Sequence, residues 1–321
     1  MKKWIPNSRW IVLWIALTVG CAPLLQKPAG IDPFVQSLKR EMVKQINRDR
    51  AQHGLSPVAY DELAAMAGDR HCREMLSAGY VSHWDRSGAK PYYRYTQMGG
   101  DDFLAENISF SKFSSSDPTA HINVRETLLK SHKKMLAEQP PNDGHRRTIL
   151  NPHHTHVGIG LAFDPHRVVM AQEFLSRYVR FDPSPPRKAK LKDRVEVSGS
   201  VLDTGHKLRS VTVLYEPLPD SMSVEALNHT EAYTLPEERY DLLPRLDGNR
   251  NYEDGTKGDI VIQGRTFRSA IPFFKGEEGI YTVVVWIYDE EGRPGARFMW
   301  SFYRVTRIET FDAGTGRPSS S

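Results

Sequence analysis

Three short segments of this chain carry residue types that can bind a metal ion or transfer protons. His83 lies in the segment SHWDRSG, Glu106 in AENI and His145 in GHRRTIL. Two neutral imidazoles and a carboxylate suit Zn²⁺ or another divalent ion with an open coordination position. The same groups could act as a general acid and base on water. A third interpretation is a polar cluster that only orders three loops.

His132 is a further candidate, because it falls within the apolar stripe of a helix predicted over Asp117–Glu138. Asp117 would be the N-cap of that helix, with Pro118 at its first position. His132 would be either a core histidine or a group pointing into a cleft, where it would complete a three-histidine-plus-glutamate site. Glu138 would lie away from the stripe.

Other histidines and the cysteine Cys72 are predicted to be structural. His71 and Cys72 look like a metal pair, but adjacent helical residues diverge by about 100°. Both lie on the small, apolar face of their helix, so we expect them in the core. The tract His153, His154 and His156 is also expected to be mainly structural. The sequence has no Gly-x-Ser-x-Gly, no phosphate-binding glycine loop and no His-Glu-x-x-His motif.

The elements that position these groups mix helices with an antiparallel hairpin. Helices are predicted over Asp32–His53 and Tyr60–Gly79, the second with a face of small residues suited to close packing on a sheet. Strands are predicted over Thr155–Phe163 and Arg167–Tyr178, joined by a turn. This pattern predicts a layered α+β domain.

The order of these motifs resembles the CAP superfamily, which includes cysteine-rich secretory proteins, antigen 5 and plant pathogenesis-related proteins. The similar part covers Phe34–Tyr178. The resemblance implies a three-layer α-β-α sandwich with a central cleft of two histidines and two glutamates. His83, Glu106 and His145 match three of these four, and His132 is the nearest equivalent of the second glutamate. The ligand cleft is therefore predicted from these four residues, with His83, His145 and Glu106 as the metal ligands.

The N-terminus predicts export. Lys2, Lys3 and Arg9 precede an apolar run from Trp10 to Val19, which is too short to span a bilayer and has the form of a signal peptide. The following residues, Thr-Val-Gly-Cys, resemble a bacterial lipobox ending at Cys21, although Thr stands where Leu is usual. We therefore expect a lipoprotein anchored through Cys21, facing the periplasm or the cell surface. An ordinary signal peptide or an uncleaved anchor is the alternative.

Removal of residues 1–20 leaves a nearly neutral chain. Losing Lys2, Lys3 and Arg9 reduces the 43 basic residues to 40, against 39 acidic ones. Such a balance provides no general electrostatic attraction for nucleic acid. With Cys21 lipidated, Cys72 would have no partner for an intrachain disulfide.

The chain is predicted to contain two domains. Its length favours more than one, and the proline-rich stretch FDPSPPRKAKLKDR marks a boundary. Beyond that stretch, strand-like segments predict an immunoglobulin-like β-sandwich. The predicted division is signal peptide 1–20, tether 21–33, CAP domain 34–180, linker 181–190, β-sandwich 191–309 and disordered tail 310–321.

Two functional classes follow from the sequence. In the first, an exported, lipid-anchored protein binds a divalent metal, a lipid or a peptide in the His/Glu cleft. In the second, a metal-dependent hydrolase acts on an envelope or extracellular substrate. An enzyme would need a metal position open to water. Whether the protein is an enzyme stays open at this point, as does the nature of the small ligand, lipid or peptide.

Overall fold

The computed structural model describes residues 32–117, 119–289 and 304–311. The predicted signal peptide, Cys21 and residues 312–321 of the predicted tail lie outside these residues, whereas residues 310 and 311 belong to the last strand. The helices are α1 (Pro33–Gln52), α2 (Glu62–Ala78), α3 (Pro91–Gln97), α4 (Val124–Leu136), α5 (Gly144–Ile149) and α6 (Val224–Asn228). The strands of the first domain are β1 (Ala59–Tyr60), β2 (Phe103–Lys112), β3 (His156–Phe163) and β4 (Arg167–Ser176).

The first two helices confirm the sequence prediction within two residues at each end. Asp32 caps α1, since its side chain accepts a hydrogen bond from the N–H of Phe34 at 2.8 Å. Asp61 caps α2 in the same way, and Gly79 ends it in the left-handed conformation. The hairpin of β3 and β4 is also confirmed.

The third helix is shorter at both ends than the predicted range Asp117–Glu138. It is α4, which starts at Val124 instead of Pro118 and ends at Leu136. The side chain of Asn123 caps it by accepting from the N–H of Glu126. Asp117 instead accepts from the backbone and hydroxyl of Thr119 in a local turn, so it does not cap this helix.

The four strands of the first domain form one sheet in the order β1-β3-β4-β2. Side chains of β3 alternate between its two faces. Val157, Ile159 and Leu161 pack with residues of α1 and α4 on one face. Gly158 and Gly160 face α2 on the other. A Cβ at Gly160 would lie 2.2 Å from the backbone of Gly68, so only glycine allows α2 to approach this closely. Helices thus cover both faces of the sheet.

Within the described residues, the second unit contains two four-stranded sheets. Their strands are β5 (Val179–Phe181), β6 (Val195–Val201), β7 (His206–Glu216), β8 (Arg239–Leu242), β9 (Val261–Gln263), β10 (Thr266–Ile271), β11 (Ile280–Asp289) and β12 (Arg304–Phe311). The orders are β5-β6-β10-β9 and β12-β11-β7-β8. One apolar cluster contains residues of both sheets, such as Val197 and Val283. The strand β5 precedes most of the predicted linker, so the second unit begins earlier than the sequence suggested.

The proline-rich segment and the second unit both contact the first domain. Arg187, within the predicted linker, forms an ion pair with Asp101 at 2.6 Å. Lys90 forms another with Glu216 of β7 at 2.5 Å. The division into a CAP domain and a β-sandwich stays a prediction. These two ion pairs link the first domain to the proline-rich segment and to β7.

No helix within residues 32–289 is both long and apolar enough to cross a membrane.

Candidate functional site

A cavity of about 780 Å³ lies over the outer edge of β2, the last strand in its sheet. His83, Glu106 and His145 all line it, so the fold brings the three predicted residues together. Residues 103–108 of β2 form its floor. The residues that line the cavity include Val81, His83, Phe103, Glu106, Ile108, Glu138, His145, Thr230, Tyr233 and Leu235.

The first half of the site is a chain of His83, Glu106 and Arg94. His83 Nδ1 donates to Glu106 Oε1 at 2.8 Å, and Arg94 Nη2 donates to Glu106 Oε2 at 2.7 Å. Arg94 also binds the His83 carbonyl, so one guanidinium positions both residues. The loop that carries His83 is fixed by Asp85, whose carboxylate accepts from the N–H groups of Ser87 and Ala89. These hydrogen bonds therefore hold His83 and Glu106 in fixed positions.

Charge in this half is set by the buried pair of Glu106 and Arg94. Burial alone would raise the pKa of Glu106, but the Arg94 charge overcomes that effect and holds the pKa well below its ordinary value. An ionised carboxylate only accepts hydrogen bonds. In the neutral His83 ring, Nδ1 therefore carries the proton, and Nε2 carries the lone pair.

The second half of the site pairs His145 with Glu138, a residue that the sequence analysis had set aside. Glu138 Oε1 accepts from His145 Nδ1 at 2.5 Å, and Oε2 accepts from the His145 backbone N–H at 3.0 Å. Because α4 ends at Leu136, Glu138 lies in the turn before α5 and no longer follows the helical periodicity. Each cleft histidine is thus held by one glutamate.

His132 does not line the cavity, which corrects its assignment as the fourth cleft residue. It is 1% exposed, and its Nε2 hydrogen-bonds Asp49 at 2.9 Å. Its Nδ1 accepts from the side-chain amide of Gln172. Gln172 on β4 pairs with Ile159 on β3, so both side chains lie on the face of the sheet that packs on α1 and α4. Glu106 on β2 pairs with Glu173 on β4, and both lie on the opposite face, towards α2. Burial lowers the pKa of His132, despite the opposing Asp49 contact.

The three predicted metal ligands line one cavity, but the side chain of Glu106 is engaged by its neighbours. Glu106 has one oxygen on His83 and the other on Arg94, so it positions a histidine instead of presenting a free oxygen. Among residues 32–117 and 119–288, no three His, Cys, Asp or Glu side chains are grouped so as to hold a metal ion. His83 and His145 each keep Nε2 as an electron-pair donor, so a metal ion held by these two would need water or a ligand to complete its coordination.

Glu173 is a second residue that the sequence analysis missed. It is the cross-strand neighbour of Glu106 on β4, is 2% exposed, and shares a hydrogen bond with Glu106. Burial first, and then the Glu106 charge, raise the pKa of Glu173 well above its ordinary value. Because side chains alternate along β4, Glu173 lies on the α2 face of the sheet. The register of β2 against β4 then places its carboxyl group beside that of Glu106.

This buried acid predicts a pH dependence of stability. A carboxyl group whose pKa is raised by folding stabilises the protein below its unfolded pKa, and that contribution is lost as pH rises towards the folded value. We expect Glu173→Gln to raise the urea midpoint relative to the parent at pH 8 and to leave it nearly unchanged at pH 4. An equal effect of the substitution at both pH values would show that Glu173 is not held neutral.

His71, His154 and Cys72 occupy buried positions, as predicted. His71 Nε2 hydrogen-bonds the Ser82 carbonyl at 2.7 Å, and burial lowers its pKa to about 4. His154 borders the cavity but is 3% exposed, and burial lowers its pKa to about 3. Burial likewise raises the pKa of Cys72 well above its ordinary value, which makes it a poor nucleophile.

Comparison with known proteins assigns the first domain. Residues 43–175 match the model of the CAP family, described as the cysteine-rich secretory protein family. The first domain is a CAP domain. The match spans α1 to β4 and includes His83, Glu106, Glu138 and His145. The CAP domain accounts for less than half of the chain.

Individual relatives of the CAP domain are distant. The chain is 25% identical over 126 residues to the uncharacterized protein YkwD of Bacillus subtilis, covering 39% of this chain and 43% of that protein. It thus spans under half the length of this curated relative. A Bacillus anthracis extracellular protein containing an SCP domain is 22% identical, covering 44% of this chain and 41% of that one, with a TM-score of 0.35. An outer surface protein of Borrelia burgdorferi is 13% identical, covering 43% of this chain and 91% of that one, also with a TM-score of 0.35.

Proposed function

We propose that this protein is an exported CAP-domain binding protein that holds its ligand against His83 and His145. The observation that carries the proposal is the pair of His–Glu contacts facing one cavity. Glu106 accepts a hydrogen bond from Nδ1 of His83 at 2.8 Å, and Glu138 accepts one from Nδ1 of His145 at 2.5 Å. A carboxylate on Nδ1 orients an imidazole and increases the basicity of its other nitrogen. Both Nε2 atoms are therefore prepared to act as acceptors.

Two kinds of group fit an imidazole lone pair: a divalent metal ion and a hydrogen-bond donor of an organic ligand. The apolar part of the lining, which includes Phe103, Ile108 and Leu235, suits the body of a lipid or the side chains of a peptide. A divalent ion, with water or part of such a ligand completing its coordination, is the simplest occupant to test.

The contacts of Glu106 do not favour a metal-dependent hydrolase. The buried carboxylate of Glu106 would be the natural general base, but Arg94 lowers its pKa and occupies one of its oxygens. A general base works best when its pKa is near the working pH. Glu106 is therefore suited to positioning His83 instead of accepting a proton from water.

Calorimetric titration with Zn²⁺ tests the proposal. We expect the parent protein, starting at residue 22, to bind Zn²⁺. Either His83→Ala or His145→Ala should lower the affinity at least about tenfold, because each removes one of two protein donors. Exposed His53, whose Nδ1 contacts only the Asp49 carbonyl of its own helix in this structure, provides the matched control His53→Ala. Equal binding by all four proteins would contradict a zinc site in the cleft.

Export and lipid anchoring form a separate part of the proposal. The supporting observations are the basic start, the short apolar run and the lipobox-like sequence before Cys21. We expect Cys21→Ser to move the protein from the membrane fraction to the soluble fraction after export. Unchanged membrane association of this variant would exclude anchoring through Cys21.

We further propose that the second unit is an immunoglobulin-like sandwich. Supporting this, two mainly antiparallel four-stranded sheets share one apolar cluster with members such as Val197, Val213, Phe267 and Val283. Such a unit would serve as a spacer or binding module that holds the CAP domain away from the membrane.

A further inference from the structure

A long connection of the second unit crosses the CAP cleft. Residues 217–238, here called the strap, join β7 to β8. The strap leaves its own sheet, carries α6 and reaches the loop that holds His83. Met222 N donates to the Arg86 carbonyl at 2.8 Å at the start of this crossing.

The strap is anchored in the core of the CAP domain. Leu227 of α6 is 0% exposed and packs in a cluster with Cys72, Met75 and Tyr80. Complete burial of a leucine side chain removes apolar surface from water and so stabilises this packing. This anchor holds the following residues of the strap next to the cleft.

Beyond the anchor, the strap follows the cleft wall through polar contacts. Val81 N donates to Asn228 Oδ1 at 3.1 Å, and the hydroxyls of Ser82 and Thr230 are 2.7 Å apart. Thr230, Tyr233 and Leu235 then line the same cavity as the two histidines. From Thr230 to Leu235 the strap has no helical or strand hydrogen bonding.

Tyr233 makes the central contact of the strap. Its hydroxyl accepts a hydrogen bond at 2.9 Å from the backbone N–H of Glu106, on the outer edge of β2. Its ring lies edge-on to His83, with centroids 4.9 Å apart, and near Tyr92 and Trp84. Burial and then the Glu106 charge raise the pKa of Tyr233, so its hydroxyl stays protonated.

We propose that the CAP cleft recognises an extended peptide carrying a tyrosine, and that the strap occupies this site in cis. The inference rests on the proposed binding function and names the class of its ligand. The site takes an aromatic ring between His83 and Tyr92 and meets its hydroxyl with the Glu106 N–H. A bound peptide places its tyrosine where Tyr233 lies and extends through the rest of the cavity towards His145.

An occupant that belongs to the same chain competes strongly with a free peptide. A tethered segment has an effective concentration in the millimolar range. A free peptide must therefore displace the strap, and its apparent affinity is reduced by the fraction of molecules with an open site. Removing the Tyr233 side chain should increase that fraction.

Fluorescence anisotropy with a labelled peptide tests the inference on the full mature chain. The probe is HTEAYTLP, the sequence of residues 229–236. We expect Tyr233→Ala to bind the probe at least about tenfold more tightly than the parent. Tyr240, which is 43% exposed on β8, provides the control Tyr240→Ala, which should bind like the parent. A probe with alanine at its tyrosine should not bind any of the three proteins.

The inference is overturned if Tyr233→Ala binds no tighter than the parent, or if the alanine probe binds equally well. If Tyr233→Ala does not fold, hydrogen exchange of the parent decides: excess probe should speed amide exchange in residues 230–235, and no change would overturn the inference. Zn²⁺ titration of the same samples separates the two proposals. Zinc binding without probe binding would reject the peptide proposal and keep the histidine site. Probe binding without zinc binding would reject only the metal as a ligand.

Discussion

Arg94→Ala is expected to destabilise the protein by about 3–5 kcal/mol, because it leaves a buried carboxylate without a countercharge. Arg94 is 9% exposed and supplies the ion pair to Glu106 at 2.7 Å. Glu173, the neighbouring buried acid, cannot replace that charge. Chemical denaturation followed by circular dichroism measures the effect.

The double variant Arg94→Met with Glu106→Gln separates lost charge pairing from lost packing. Removing both charges should cost less than removing Arg94 alone, since no buried charge is then left unpaired. Arg147→Ala is the matched control, because this arginine is exposed and pairs with Asp143 of its own segment. If the double variant were no more stable than Arg94→Ala, the charge pairing would not be the main contribution.

Gly160→Ala is expected to cost about 3 kcal/mol, through contact between two backbones. A Cβ at this position would lie 2.2 Å from the carbonyl carbon of Gly68, and backbone cannot rotate away as a side chain can. The helix α2 would have to move off the sheet. Since the residues after α2 carry His83, the substitution should also weaken binding in the cleft.

Gly144→Ala is the control for this experiment, because a Cβ at Gly144 meets nothing within 4 Å. It should change the free energy of unfolding by less than about 0.5 kcal/mol. Thermal and urea unfolding of both variants provide the comparison. Similar losses for Gly144→Ala and Gly160→Ala would contradict the close helix–sheet contact.

Local signals in the sequence were sufficient for much of the CAP fold. The caps Asp32, Asp61 and Gly79 set the ends of α1 and α2, since each acts within a few residues of its own position. The face of small residues on α2 indicated that this helix packs closely on a sheet. His83, Glu106 and His145 could be found because each lies in a short motif.

The missed residues depend on contacts that local periodicity does not encode. Glu138 was misplaced because α4 ends at Leu136, two residues earlier than predicted. His132 was assigned to the cleft because a helical stripe does not tell which face of the sheet it covers. Glu173 required the strand register. Tyr233 reaches Glu106 over 127 positions of sequence separation, so only the tertiary structure brings them together.

Anomalous diffraction at the zinc edge, from crystals of the mature chain grown with Zn²⁺, tests the histidine site most directly. We expect a peak within bonding distance of the Nε2 atoms of both His83 and His145. Glu106 and Glu138 should remain on the two Nδ1 atoms. A map with no peak between these two rings, or with zinc only at surface histidines such as His121 and His166, would contradict it.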